Sequence, residues 1–189
     1  MTGMHRLLIV DNEVLIVERL LDLFQRNEHL NLEVYGVTSS ADALDVMSRT
    51  KIDIVLSDIR MPGKNGLELQ AEIIKQWPRC KVIFLTGYGD FEYAHQAIRN
   101  GSVDYLLKTE GEQAIVQTVE KAVRQLTEEL EADKLIAHAE RQLKLTKPYL
   151  QKEFLCELLH GDPQTMRKLE AALEELSIPL RYDWPVLAI

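Results

Sequence analysis

The residues of this chain that could do chemistry stand at the ends of short apolar runs. Asp11-Asn12-Glu13 follows Leu7–Val10, and Asp58 comes just after Ile54–Leu56. Thr86 ends the run Val82–Leu85, and Lys108 ends Val103–Leu107. Two acidic clusters brought together would make a hard-oxygen site suited to Mg²⁺. The chemistry that needs such a set is phosphoryl transfer. An aspartate attacking a phosphoryl group approaches a multiply charged donor. Positive charge must screen it, and hydrogen-bond donors must hold the equatorial oxygens. Mg²⁺ and the Lys108 ammonium would supply the charge, while the Thr86 hydroxyl and nearby backbone amides would supply donors. Asp58 is then the nucleophile, by position and by the donors converging on it.

Those residues meet only if the runs are parallel strands of one sheet. From Arg6 to about Gln125 strand and helix patterns alternate five times. The runs Leu7–Val10, Leu32–Val37, Ile54–Leu56, Val82–Leu85 and Val103–Leu107 are short and rich in β-branched residues, with polar or Gly borders. Helices are predicted over Val14–Gln25, Ala41–Ser48 (capped by Ser39 or Ser40), Leu67–Gln76 and Phe91–Arg99, with a fifth from near Glu112. The alternation implies an α/β protein with a parallel sheet covered on both faces. Five strands in this length match the flavodoxin-like doubly wound fold, order 2-1-3-4-5. Ligands bind such sheets at the carboxyl ends of the strands, here between strands 1 and 3, where Asp11 and Asp58 fall.

The totals narrow the function classes. The net charge of −8 repels a phosphate backbone, so this stretch is a poor DNA binder by itself. Its 28% charged and 46% hydrophobic residues make an ordinary globular mixture rather than a disordered one. Cys80 and Cys156 lie too far apart in sequence to suggest a disulfide framework, so a reduced, cytoplasmic setting is expected. Leu7–Val10 is too short for a signal peptide or membrane span, because Asp11 follows at once. The five histidines, His5, His29, His95, His138 and His160, show no metal-ligand spacing.

With these residues in view, the sequence resembles the receiver domains of bacterial two-component response regulators. The carriers are Leu7-Leu8-Ile9-Val10-Asp11, Asp58-Ile59-Arg60-Met61-Pro62-Gly63, Thr86-Gly87 and Asp104-Tyr105-Leu106-Leu107-Lys108, over roughly residues 5–126. The resemblance implies that Asp58 is the phosphoacceptor and that Asp11 belongs to the acidic metal pair. It implies that Arg60 offers its backbone carbonyl to Mg²⁺. Thr86 would be the switch hydroxyl, Tyr105 the switch aromatic and Lys108 the family's lysine. A sensor histidine kinase is the implied partner. The segment from Thr86 to Ala94 is similar to the YesN-like regulators, which end in an AraC-type helix-turn-helix domain. DNA would then be bound only through a domain that this chain lacks. Two positions depart from the pattern. Asn12 stands where the family usually has Asp, so Mg²⁺ binding should weaken unless Glu13 helps. Thr109 stands where it usually has Pro, and a non-proline cis bond costs about 2.5–4 kcal/mol.

The fifth helix outruns the domain. Val116, Val119, Val123, Leu126 and Leu130 alternate spacings of three and four, as a coiled-coil seam does. Asp133 breaks the seam, and Leu135, Ile136, Ala139 and Leu143 resume on a shifted stripe. The first part of the seam can simply pack on the sheet. The later part suggests a homodimer through the long helix. Pro148 is expected to interrupt that helix or open a new one. The division expected is a receiver at 5–126, a helical linker at 127–147 and the start of a truncated second domain at 148–189, ending in a strand over Trp184–Ile189. The function expected is a phosphorylation-gated transcriptional regulator that turns over no external substrate. A degenerate receiver serving as a dimerisation module is the first rival, motivated by Asn12. A phosphohydrolase of the haloacid-dehalogenase kind is the second, but it would need an Asp where Arg60 stands.

Overall fold

The computed structural model describes residues 4–87 and 104–160, together with 171 and 173. Five strands form one parallel sheet: β1 (His5–Val10), β2 (Leu32–Val37), β3 (Ile54–Asp58), β4 (Lys81–Thr86) and β5 (Asp104–Leu107). Their order is β2-β1-β3-β4-β5, as the alternation predicts. The helices are α1 (Val14–Arg26), α2 (Ser40–Arg49), α3 (Gly66–Gln76) and α4 (Glu112–Leu159). A short 3₁₀ turn, Glu28–Leu30, leads into β2. The helix expected over Phe91–Arg99 and the strand expected over Trp184–Ile189 lie outside the described residues.

Strand side chains alternate between faces, and both faces of β1, β3 and β4 are buried, so these inner strands are apolar almost throughout. Leu7, Ile9, Ile54, Leu56, Ile83, Leu85 and Leu106 face α1 and the first part of α4, meeting Val17, Leu20, Phe24, Ile115, Val119, Ala122 and Leu126. Leu8, Val10, Val55, Val82 and Phe84 face α2 and α3, meeting Ala43, Met47, Leu69 and Ile73. Cys80 is buried in this second core, and loss of water pushes its thiol up to about 12, which makes it inert; Cys156 is exposed.

Local capping follows the chemistry of short polar side chains. Ser39, not Ser40, caps α2 by accepting from the Asp42 amide. Asn65 caps α3 in a reciprocal box: its side chain accepts from the Glu68 amide, and the Glu68 carboxylate accepts from the Asn65 amide.

The last helix bears out one expectation and corrects another. The first part of the seam, Val116 to Leu126, packs on the sheet as expected: Val119 is 0% and Leu126 7% exposed, beside Ile115 and Ala122. The straight-helix stripe 115-119-122-126 supplies the burial, so the heptad spacing is incidental there. Pro148 does not interrupt α4, which runs through it to Leu159. Proline removes one amide and crowds the carbonyl four residues back. That residue, Lys144, is exposed, so water can serve its carbonyl.

The chain divides into two compact units, Met1–Glu129 and Leu130–Ile189. In the second, Leu135, Ile136, Leu143 and Leu145 are exposed, while Phe154 and Leu173 are buried. No described helix is long and apolar enough to cross a membrane.

Candidate functional site

The parallel register brings the polar residues to one sheet edge. Val10 pairs with Ser57, Asp58 with Leu85, and Thr86 with Leu107, so Asp11, Asp58, Thr86 and Lys108 end neighbouring strands. The Lys108 amide donates to the Thr86 carbonyl at 2.8 Å, which continues the β4–β5 ladder one step into the loop. All described peptide bonds are trans, so Lys108 is aimed without a cis bond before Thr109.

Lys108 is the centre of the cluster. Its ammonium lies 2.8 Å from Asp11 Oδ2, 3.4 Å from Asp58 Oδ1 and 3.7 Å from Glu13 Oε1. Burial works against its charge, but the hydrogen bond and the charge of Asp11, joined by Asp58, outweigh that and hold its pKa above the ordinary lysine value. Asp58 is 7% exposed. Burial raises its pKa above the ordinary carboxylate range, and the charge of Asp11 adds to this. Lys108 and the Ile59 amide pull the other way without cancelling it. Asp11 accepts the Glu13 amide at 2.9 Å through Oδ1. Its Oδ2 is buried, and the Lys108 ammonium at 2.8 Å is its partner.

The remaining predicted residues fall in three places. Thr86 is fully buried and its hydroxyl donates to the Gly87 carbonyl at 3.3 Å. Asn12 and Arg60 line a cavity of about 390 Å³ with Ile59, Met61, Pro62 and Asn65, beside the carboxylate cluster. The Arg60 guanidinium reaches toward Gly87, with Nη2 3.7 Å from where a Cβ there would stand. Tyr105 is not in the cluster; it packs half-buried against the core under α2 and α3.

Sequence reasoning missed Gly66. Its amide donates to the Ile59 carbonyl at 2.9 Å, and a Cβ on it would collide with the Asp58 carbonyl oxygen and stand 3.0 Å from the Ile59 Cα. Only glycine lets the start of α3 approach the acceptor strand this closely. The signal was a glycine at the first position of a helix, directly after its Asn cap.

The donor set suits a hard cation. Asp11 and Asp58 offer carboxylate oxygens and Asn12 an amide oxygen at the adjoining cavity. Among the described residues no cluster of three or more His, Cys, Asp or Glu side chains forms a closed metal cage.

Residues 7–120 match the family model described as the response regulator receiver domain. Over 162 residues the chain is 29% identical to YesN of Bacillus subtilis, an uncharacterized transcriptional regulatory protein, covering 85% of this chain and 44% of that one. It is 32% identical over 126 residues to the transcriptional regulatory protein HptR of Staphylococcus aureus, covering 67% of this chain and 49% of HptR. The chain thus spans less than half the length of either relative. Among solved structures, the receiver domain of AraT, a response regulator from Geobacillus stearothermophilus, is 32% identical with a TM-score of 0.59. That match covers 70% of this chain and 99% of AraT's domain.

Proposed function

The chain belongs to the response regulator receiver family, and from that premise we propose that it is a phosphorylation-gated switch in a transcriptional regulator, with Asp58 as acceptor. The observation that carries this is the convergence of Asp11 and Asp58 on the Lys108 ammonium at the carboxyl edge of the sheet.

The donor is a phosphohistidine on a sensor histidine kinase. A carboxylate oxygen of Asp58 attacks phosphorus, the P–N bond breaks, and the imidazole leaves with its electron pair and takes up a proton. Asp11, Asp58, the Asn12 side chain and the Arg60 carbonyl would hold Mg²⁺, which when bound supplies positive charge to the phosphoryl oxygens. Lys108 exchanges part of its contact with Asp58 for a phosphoryl oxygen and so stabilises charge that develops during transfer. Thr86 turns its hydroxyl from the Gly87 carbonyl to the new dianion, and Tyr105 follows it toward the vacated space. The free-energy difference between the two arrangements need be only a few kcal/mol. No external substrate is turned over. The relatives named as transcriptional regulatory proteins support an output at DNA through a further domain. The exposed Leu135, Ile136 and Leu143 of α4 support pairing with a second copy.

The test is mass spectrometry after incubation with acetyl phosphate and Mg²⁺. One phosphoryl adduct on Asp58, lost in Asp58→Asn, is expected; an adduct that persists in Asp58→Asn overturns the assignment. Asn12 favours a second reading, a receiver that is never phosphorylated and serves only to dimerise, which predicts no adduct at all.

A further inference from the structure

Glu13 occupies the N-cap position of α1, yet its side chain makes no cap hydrogen bond. Glutamate is a poor cap because its carboxylate stands too far from its own helix's first amides, which Ser, Thr, Asn or Asp reach easily. The carboxylate lies instead 3.7 Å from Lys108 Nζ. The Glu13 amide is tied to Asp11 Oδ1 at 2.9 Å, which holds its backbone beside the cluster. Next to it, Asn12 is exposed at the cavity and carries no charge.

We propose that Glu13 is a positioning residue of the acceptor site, whose carboxylate on Lys108 replaces the negative charge that Asn12 does not supply. The inference rests on the receiver reading above. With Asp11, Asp58 and Glu13 around one ammonium, the cluster keeps two net negative charges. Without Glu13 it keeps one. Glu13 acts on a dication in two ways with the same sign. It adds attraction at the rim, and it holds part of the Lys108 ammonium that would otherwise compete for Asp11 and Asp58. Its side chain is 63% exposed, so the effect is screened and must shrink as salt rises. A cap or a solvated surface acid has no such dependence on the cation.

Isothermal titration of the whole chain with Mg²⁺, at low and at high ionic strength, tests this. Glu13→Gln keeps the shape and removes the charge. The expected result is a loss of affinity of about 3- to 10-fold at low salt, shrinking at 0.5 M salt. Asn12→Asp in the Glu13→Gln background returns affinity to the wild-type level or above. Equal Mg²⁺ affinity in wild type and Glu13→Gln at low salt overturns the role of Glu13 and leaves the receiver reading intact. A loss that Asn12→Asp does not restore also overturns it, since the charge would not be the cause. A wild-type chain that takes up no Mg²⁺ and no phosphoryl group overturns both. Helix content by circular dichroism separates these outcomes from a fault in α1.

Discussion

Lys108 Nζ and Asp11 Oδ2 meet at 2.8 Å at the edge of the sheet, and the Asp11 side chain is almost wholly out of water. An ion pair this far removed from solvent is costly to break from one side, because the surviving charge stays buried and unmatched. Lys108→Met should therefore do more than remove a contact. Asp11 and Asp58 would face each other without a cation, and the Asp58 pKa should rise further, since Lys108 now lowers it. Phosphorylation by acetyl phosphate should slow by roughly 10²–10³-fold, the scale for losing one donor to a developing charge. Rapid-quench kinetics on the variant, with carboxyl titration by NMR, checks both parts.

The pH dependence has a definite sign. Asp58 has a folded-state pKa above its unfolded value, so the folded protein binds the proton more tightly. Stability from this group therefore falls as pH rises from the unfolded value through the raised folded one. Asp58→Asn should raise Tm at neutral pH, and the gain should shrink as pH falls through that window. The nucleophile needs the ionised form, so phosphorylation should fall over the same interval on acidification. Thermal melts and acetyl-phosphate rates from pH 3.5 to about 7 check the pair of trends.

Asn12→Asp should tighten Mg²⁺ binding. It adds a unit charge at the cavity that Asn12 shares with Arg60 and Asn65. Water screens most of it, so the gain is modest. A titration showing equal or weaker affinity in the variant would remove Asn12 from the metal shell.

Gly66→Ala should destabilise by roughly 1–3 kcal/mol, the usual cost of forcing extra volume into a packed site. The new methyl would meet backbone rather than a movable side chain. Because that backbone carries Asp58, the phosphorylation rate should fall as well. Urea melts with unchanged m-value, together with acetyl-phosphate kinetics, would show both effects.

Self-association should belong to the part of α4 beyond Glu129. Leu126 is buried in the sheet's own core, so a truncation that tests this must retain it and end at Glu129. Sedimentation of the whole chain against residues 1–129 is expected to show dimers only for the whole chain. Monomers of both at high micromolar concentration, with and without phosphorylation, would sink the pairing role.

The sheet was legible because each strand is an apolar run ended by a polar residue, and the site was legible because those polar ends must share an edge. The fate of α4 was less so. Val116 to Leu126 fit a heptad and a 3.6-residue stripe almost equally well over two turns, and only the sheet beneath decides between them. Pro148 misled because a proline's cost to a helix depends on whether water can reach the freed carbonyl, which sequence does not state. Gly66 was invisible for a related reason: closeness to Asp58 is set by a turn seven residues long, not by any local pattern. Tyr105 lies against the second core in this arrangement, so its sequence motif names a role that depends on movement.

The strand order also sets a schedule for folding. β1 is made first but pairs on both sides, with β2 and with β3. Its second edge stays open until residues 54–57 have been synthesised, so the earliest strand must wait for non-local partners. The charges follow the same order along the chain: Asp11 and Asp58 precede β4 and β5, and Lys108 comes last. A chain in which β1 pairs with β3 before β5 docks would hold the two carboxylates close with no ammonium between them, at the very edge that later receives the phosphoryl group. Divalent cations present during refolding should therefore speed closure of the sheet as well as serve the finished site.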